Sequence, residues 1–332
     1  MIITRTPFRI SFFGGGTDYP DWFSRNNGAV ISTTIDKYCY VMARYLPPFF
    51  DYSFRLRYFK KEEVNNIDQI QHPSIRECLR FLNFDKKKIE IVHNADLPAL
   101  SGLGSSSTFT VSLLHSLYGL KDKMITKKEL ALEAINIEQK ILREKVGSQD
   151  QTAAAFGGIN YIEFKKNKGV VVNQIFLGEN ELNKIEKNFY LIYTGIQRKA
   201  NLFSSSQVKN IINNNNDIYL QKILDLTKQA YEEIFLKKTL DLKKFGEALN
   251  IQWDIKKKLS QNVSTDYLNN IYDLAIKSGS LGGKLLGAGG GGFFVFLVEP
   301  KNRKKFLKSF KNFLHVPFKP ENTGSQIIYY SK

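Results

Sequence analysis

Cysteine is scarce in this chain. Only Cys39 and Cys78 occur in 332 residues. Two cysteines exclude a disulfide framework, and they offer no metal-ligand spacing, so a reducing compartment is expected. Long apolar runs are missing too. None approaches the roughly 20 residues that span a bilayer, which points away from a membrane. The opening stretch carries Arg5 and Arg9 inside its apolar residues, against the pattern of a secretory leader. The expected location is the cytoplasm. Acid is short relative to base: 32 acidic residues face 48 basic ones, for a net charge of +16. That balance favours anionic partners. Yet the lysines are scattered or bunched, as in Lys86-Lys87-Lys88 and Lys256-Lys257-Lys258, the pattern of solvated helix faces. No nucleic-acid partner is expected from charge alone. With 42% hydrophobic residues, the chain can build one large domain or two ordinary ones.

What is abundant is glycine and serine in one stretch, Pro98-Ala-Leu-Ser-Gly-Leu-Gly-Ser-Ser-Ser-Thr108. The β-branched alternation of Ile89 to Val92 predicts a strand before it. Val111, Leu114, Leu117 and Tyr118 recur at helical spacing after it. Gly102 and Gly104 allow a tight turn close to a ligand. A helix starting here aims unpaired N–H groups and a positive dipole end at the loop. Ser105, Ser106 and Ser107 add hydroxyls. The combination describes a phosphate cradle, or only a turn and an N-cap. It is not a P-loop, since no Lys-Ser or Lys-Thr pair follows the glycines.

Two further glycine clusters flank it in sequence. Ile2 to Phe13 reads as a strand broken by Pro7 and runs into Gly14-Gly15-Gly16-Thr17-Asp18, where Asp18 is either an Asx-turn residue or a grip for a substrate hydroxyl. Late in the chain, Gly287-Ala-Gly-Gly-Gly-Gly292 formally fits a dinucleotide fingerprint, but the next residues, Phe293 to Val298, form a strand and not the required helix. Between these, Thr126-Lys-Lys-Glu129 is a capping box that opens a helix with Leu130, Ala134, Ile137 and Ile141 on one face. Glu138 lies beside that stripe, where an ordinary surface charge would also sit. Asp150 follows Gly147 at the start of a short helix of small residues. Arg198 and Lys199 follow a strand that ends at Thr194-Gly195.

Taken together and in order, these three segments resemble the GHMP kinases, over nearly the whole chain. The likeness implies an α/β (α+β) two-domain fold: an N-terminal ATP-binding part, residues 1–175, like ribosomal protein S5 domain 2, and a ferredoxin-like part, residues 176–332. It implies ATP held by Pro98, Ser101, Gly102, Leu103, Gly104, Ser105, Ser106 and Ser107, with Mg2+ on Ser106 and Glu138. Asp150 resembles the catalytic aspartate and Arg9 its arginine partner. Asp18, with Gly15, Gly16, Thr17, Gly147 and Gly289, would face the acceptor. These residue types suit phosphoryl transfer, which needs positioning, charge stabilisation and an oxygen-ligated magnesium ion.

Galactokinases carry Glu-His where this chain has Gly15-Gly16. Gly-Gly-Gly-Thr-Asp-Tyr-Pro, with His72-Pro-Ser-Ile-Arg-Glu-Cys-Leu79, is instead similar to the heptose 7-phosphate kinases of the family. That likeness implies phosphorylation of the anomeric hydroxyl of a sugar phosphate to a 1,7-bisphosphate, a step toward activated heptose for lipopolysaccharide or capsule. Arg198 and Lys199 would hold the existing phosphate. Another sugar-1-kinase of the family, or a non-catalytic S5-like binding module, stays open at this point. Oligomeric state is not legible.

Overall fold

The structure is a computed structural model that describes residues 1–166, 169–197, 208–237, 239–260 and 263–331. Its larger sheet is founded on two long antiparallel strands, β1 (Ile2–Phe13) and β2 (Gly28–Tyr45), joined through the first glycine cluster and helix α1 (Pro20–Asn26). Pro7 does not break β1, contrary to expectation. It sits where the ladder slips, with Pro7 opposite Tyr38 but Arg9 opposite Thr34. A residue without an N–H is tolerated at such an irregularity, so the strand continues through it.

The sheet continues beyond β2 through β3 (Phe54–Arg57), β4 (Lys61–Val64) and β5 (Ile89–Ala95), in the order β2-β5-β3-β4. The pair β3·β5 is parallel. Helix α2 (Pro73–Phe81) lies between β4 and β5 in sequence. Helix α3 (Ser105–Leu120) packs on β1 and β2 and is buried on nearly every side, as expected of a helix whose apolar residues leave no polar face. Helix α4 (Lys127–Asn136) opens with the Thr126 capping box and runs into a single π turn, Ile137–Ile141. Helix α5 (Gln149–Phe156) stops at Gly157 and Gly158, both at positive φ. The hairpin β6 (Ile159–Lys165) and β7 (Gly169–Ile175) then pairs with the first half of β2.

The second part begins with helix α6 (Glu179–Asn188), which the sequence reading did not anticipate, and β8 (Phe189–Tyr193). Helices α7 (Asp217–Ala230), α8 (Leu242–Lys257) and α9 (Asp266–Lys277) follow. The smaller sheet is antiparallel, with β9 (Ser280–Leu285) and β10 (Phe293–Val298) beside β8. Gly282 belongs to β9 because α8 crosses it closely: a Cβ there would lie 2.0 Å from the Gly246 carbonyl oxygen. Helix α10 (Arg303–Ser309) and the short strand β11 (His315–Val316) complete this unit.

The chain then returns. Strand β12 (Pro320–Glu321) pairs with β2, and β13 (Gln326–Tyr330) pairs with β1. A division at residues 175/176 therefore leaves two late strands in the first sheet. The two units share a core. Phe12 of β1 meets Phe189, Phe235 and Phe245 at ring-centroid distances of 5.5, 6.4 and 5.2 Å. This is the two-domain fold of mixed helix and sheet that the sequence suggests.

Candidate active site

The cleft forms where three backbone loops meet. The serine-rich loop turns at Gly104 (φ 79°) straight into α3, so Ser105, Ser106 and Ser107 are its first turn and not a preceding loop. Their backbone N–H groups precede the first intrahelical bond, which runs from the Thr108 N–H to the Gly104 carbonyl at 2.9 Å. The late glycine loop presses against this one. Gly102 has φ +82°, and a Cβ there would stand 2.8 Å from the Leu286 oxygen; one at Gly292 would stand 2.4 Å from the Ser101 oxygen. These glycines are contact points between loops, which is what holds the cradle in shape.

Arg9 and Asp150 meet at the floor. Arg9 donates Nε to Asp150 Oδ1 at 2.8 Å, its Nη2 lies 2.7 Å from the same oxygen, and its Nη1 bonds the Gly102 carbonyl at 2.9 Å. One guanidinium thus ties the acid to the serine loop. The Arg9 side chain is buried, whereas the Asp150 side chain keeps 24% of its surface exposed, toward the cleft.

Asp18 lies beside them, buried. Its Oδ1 accepts from the Gly16 N–H at 3.0 Å and its Oδ2 from the Gln149 N–H at 3.3 Å. A Cβ at Gly147 would fall 1.8 Å from Asp18 Oδ2, so only glycine fits there. Burial, reinforced by the Asp150 charge, pushes the Asp18 carboxyl up to about 6 against the opposing backbone N–H bonds.

Glu138 is not a surface charge. It is buried within the π turn, where the Leu142 N–H reaches back to the Ile137 carbonyl at 2.8 Å. Ordinary helical spacing already carries Glu138 inward, four residues on from buried Ala134, and the extra residue in the π turn swings the next expected core position, Ile141, out to 38% exposure. Glu138 Oε2 accepts from the Ser107 hydroxyl at 2.7 Å and from Gln151 Nε2. Burial pushes its carboxyl up to about 7, opposed by the Ser107 and Thr110 hydroxyls. Its Oε1 is buried with no hydrogen-bond partner. An orphaned carboxylate oxygen is a donor of the kind a magnesium ion takes, as is the exposed Ser106 hydroxyl, although Glu138 itself lies behind Ser107 and does not line the cleft. The hydroxyl that bonds Glu138 directly is that of Ser107.

The sequence reading missed two lysines on the cleft wall. Lys284 of β9 is buried and donates to the Ser11 and Phe12 carbonyls at 2.7 and 3.1 Å. Burial and the Arg9 charge push its ammonium down to about 7, opposed by Asp18. Lys256 was expected on a solvated face. It is buried instead, and its Nζ bonds the Leu285 and Gly287 carbonyls at 2.8 and 2.6 Å. The only sequence signal for Lys284 was a lone cation within an otherwise apolar and glycine strand.

Of the expected site residues, Arg9, Gly15, Gly16, Asp18, Gly102, Gly104, Ser105, Ser106, Ser107, Gly147 and Asp150 all line this one cleft. The others stand back from it. Thr17 is buried, its hydroxyl donating to the Gly14 and Ala29 carbonyls. Ser101 and Leu103 are buried in the loop, and Pro98 is exposed. Gly289 packs on Val263, where a Cβ would stand 2.7 Å from its Cα, while Gly287 and Ala288 reach the cleft. Arg198 and Lys199 lie outside the described residues.

A cradle at a helix N-terminus facing an arginine-bound aspartate defines a phosphotransferase. The chain matches GHMP kinases N terminal domain over residues 73–158 and GHMP kinases C terminal over residues 231–315, and it belongs to the GHMP kinases; it is a phosphotransferase with an alcohol acceptor. It is 32% identical over 324 residues to the D-glycero-alpha-D-manno-heptose 7-phosphate kinase of Campylobacter jejuni subsp. jejuni, a match covering 93% of both chains. A solved D-glycero-D-manno-heptose 1-phosphate kinase from Bacteroides thetaiotaomicron aligns over 100% of both chains with a TM-score of 0.80 at 24% identity. The galactokinase of Lactococcus lactis, complexed with galactose, aligns with a TM-score of 0.75 at 19% identity, over 98% of this chain and 95% of that one. At these two identities the likeness is one of fold. Among the described residues, no helix is long and apolar enough to cross a membrane.

Proposed function

We propose that this GHMP kinase is a sugar kinase that phosphorylates the anomeric hydroxyl of D-glycero-D-manno-heptose 7-phosphate to the 1,7-bisphosphate, with ATP and Mg2+. The observation that carries the reading is the Arg9–Asp150 pair, set in the same cleft as the serine cradle and the bare backbone of Gly15 and Gly16. The 32% identity to a heptose 7-phosphate kinase supports the choice of acceptor.

The N–H groups and hydroxyls of Ser105 and Ser106 hold phosphate oxygens at the positive end of α3. Asp150 receives the proton of the attacking hydroxyl. Arg9 orients that carboxylate and compensates its charge from behind. Asp18, fixed by two backbone N–H groups, accepts a hydrogen bond from the acceptor. Glu138 and Ser106 would hold Mg2+, which supplies charge neutralisation on the phosphates. Arg198 and Lys199 are the proposed anchors for the phosphate that the acceptor already carries.

The test is ADP release across heptose 7-phosphate, heptose 1-phosphate, galactose, fucose and mannose, with phosphorus NMR locating the new phosphate. Preference for heptose 7-phosphate and an anomeric product are expected. A free hexose turned over faster, or phosphate on another carbon, would remove this substrate assignment.

A further inference from the structure

Two polar side-chain atoms on the cleft wall have no hydrogen-bond partner among the described residues. Ser11 Oγ and Gln149 Oε1 are each shielded from water and make no hydrogen bond. They flank a single gap. A methyl group built on Gly15 would stand 3.8 Å from Ser11 Oγ and 3.7 Å from Gln149 Nε2, the two atoms within 4 Å of it among the described residues beyond its chain neighbours. All three residues line the cleft with Asp18 and Asp150. Gln149 is held in place from its own backbone, whose N–H bonds Asp18 Oδ2 at 3.3 Å. Ser11 is held by its carbonyl, which accepts from Lys284 Nζ at 2.7 Å.

Unpaired polar atoms at a wall are costly unless something satisfies them. We infer that Ser11 and Gln149 are specificity-determining residues that together read a non-reacting hydroxyl of the acceptor, seated over the bare backbone of Gly15. This rests on the sugar-kinase reading and adds to it the groups that choose the sugar. A serine hydroxyl and a carboxamide can each donate and accept, so the pair matches an alcohol. A site built to bond a hydroxyl also discriminates strongly against a ligand that lacks it. The gap over Gly15 is part of the same device: it leaves room for the sugar where a side chain would otherwise project.

Gly15→Ala is the sharpest probe. Gly15 is not among the positive-φ glycines, and its added methyl meets only ordinary van der Waals contacts, so the variant keeps its fold. The methyl takes the space of the acceptor and not that of ATP. With the acceptor that wild-type enzyme uses best, Gly15→Ala is expected to raise the acceptor KM by about tenfold or more, leaving the ATP KM within about twofold. Ser11→Ala and Gln149→Leu carry the same test without touching Gly15, and each is expected to raise the acceptor KM by about five- to fiftyfold, with the deoxy-sugar lacking the bonded hydroxyl losing its disadvantage in both. Unchanged acceptor KM in Gly15→Ala and Gln149→Leu, or an equal rise in both substrates' KM, overturns the inference. A best acceptor other than a heptose phosphate overturns the substrate assignment alone, and the variants are then read on that sugar.

Discussion

At the scale of single residues, the site depends on charges held out of water at fixed distances. Asp150 has one oxygen committed to Arg9 and its exposed side toward the cleft. Asp150→Asn keeps the shape and removes the proton acceptor. We expect kcat to fall by about 10²- to 10⁴-fold while ATP affinity by calorimetry stays near wild type. Near-normal turnover would exclude Asp150 as the base. Lys284 makes a separate prediction about stability. Its ammonium is pushed down to about 7 in the folded chain from an ordinary value of 10.5. Between those two pH values the unfolded chain binds the proton more than the folded one does. Stability from this residue therefore rises with pH across that window and is at its lowest below it. Thermal melts of wild type and Lys284→Met should differ most in the variant's favour near pH 6 to 7, with that advantage shrinking toward pH 9.5. A constant difference across the series would show that the lysine does not titrate there.

At the scale of elements, the decisive feature is one loop pressed against another. Gly102 combines positive φ with a 2.8 Å approach to the Leu286 oxygen, and its carbonyl receives Arg9. Gly102→Ala combines backbone strain with a clash, at a cost of about 1–3 kcal/mol. We expect a lower melting temperature and a fall in kcat together, since Arg9 loses its anchor. A variant with wild-type kcat would detach the loop contact from catalysis. The serine cradle was legible in the sequence because turn, glycine and helix start are local chemistry. The capping box at Thr126 and the stop at Gly157 were legible for the same reason. Glu138 stands four residues after Ala134 on the buried face, so its burial follows from helical spacing; what the spacing does not reveal is the π turn, which depends on packing and swings Ile141 outward. The burial of Lys256 and Lys284 depends on tertiary packing: Lys256 reaches the carbonyls at the end of β9 and in the loop after it, and Lys284 those of β1 in the other sheet.

At the scale of the whole molecule, the two sheets are not independent bodies. The rings of Phe12, Phe189, Phe235 and Phe245 join them, and Phe245 is fully buried. Phe245→Ala should cost about 3–5 kcal/mol. The chain has two tryptophans, Trp22 packed beside α7 and Trp253 on the smaller sheet. Single-tryptophan variants should therefore report one common urea midpoint, in wild type and in Phe245→Ala alike. Two separated midpoints would show that the units unfold apart.

Strand β13 closes against β1, and the Ser331 N–H bonds the Met1 carbonyl at 2.9 Å. The strand that carries Arg9 thus acquires its last neighbour only when residue 330 has left the ribosome. Until then the Ile2–Arg5 edge of β1 has unpaired backbone groups, and a nascent chain at this stage has its cradle translated but this edge of its founding sheet open. The order of synthesis thus ties the sealing of this edge to the emergence of β13.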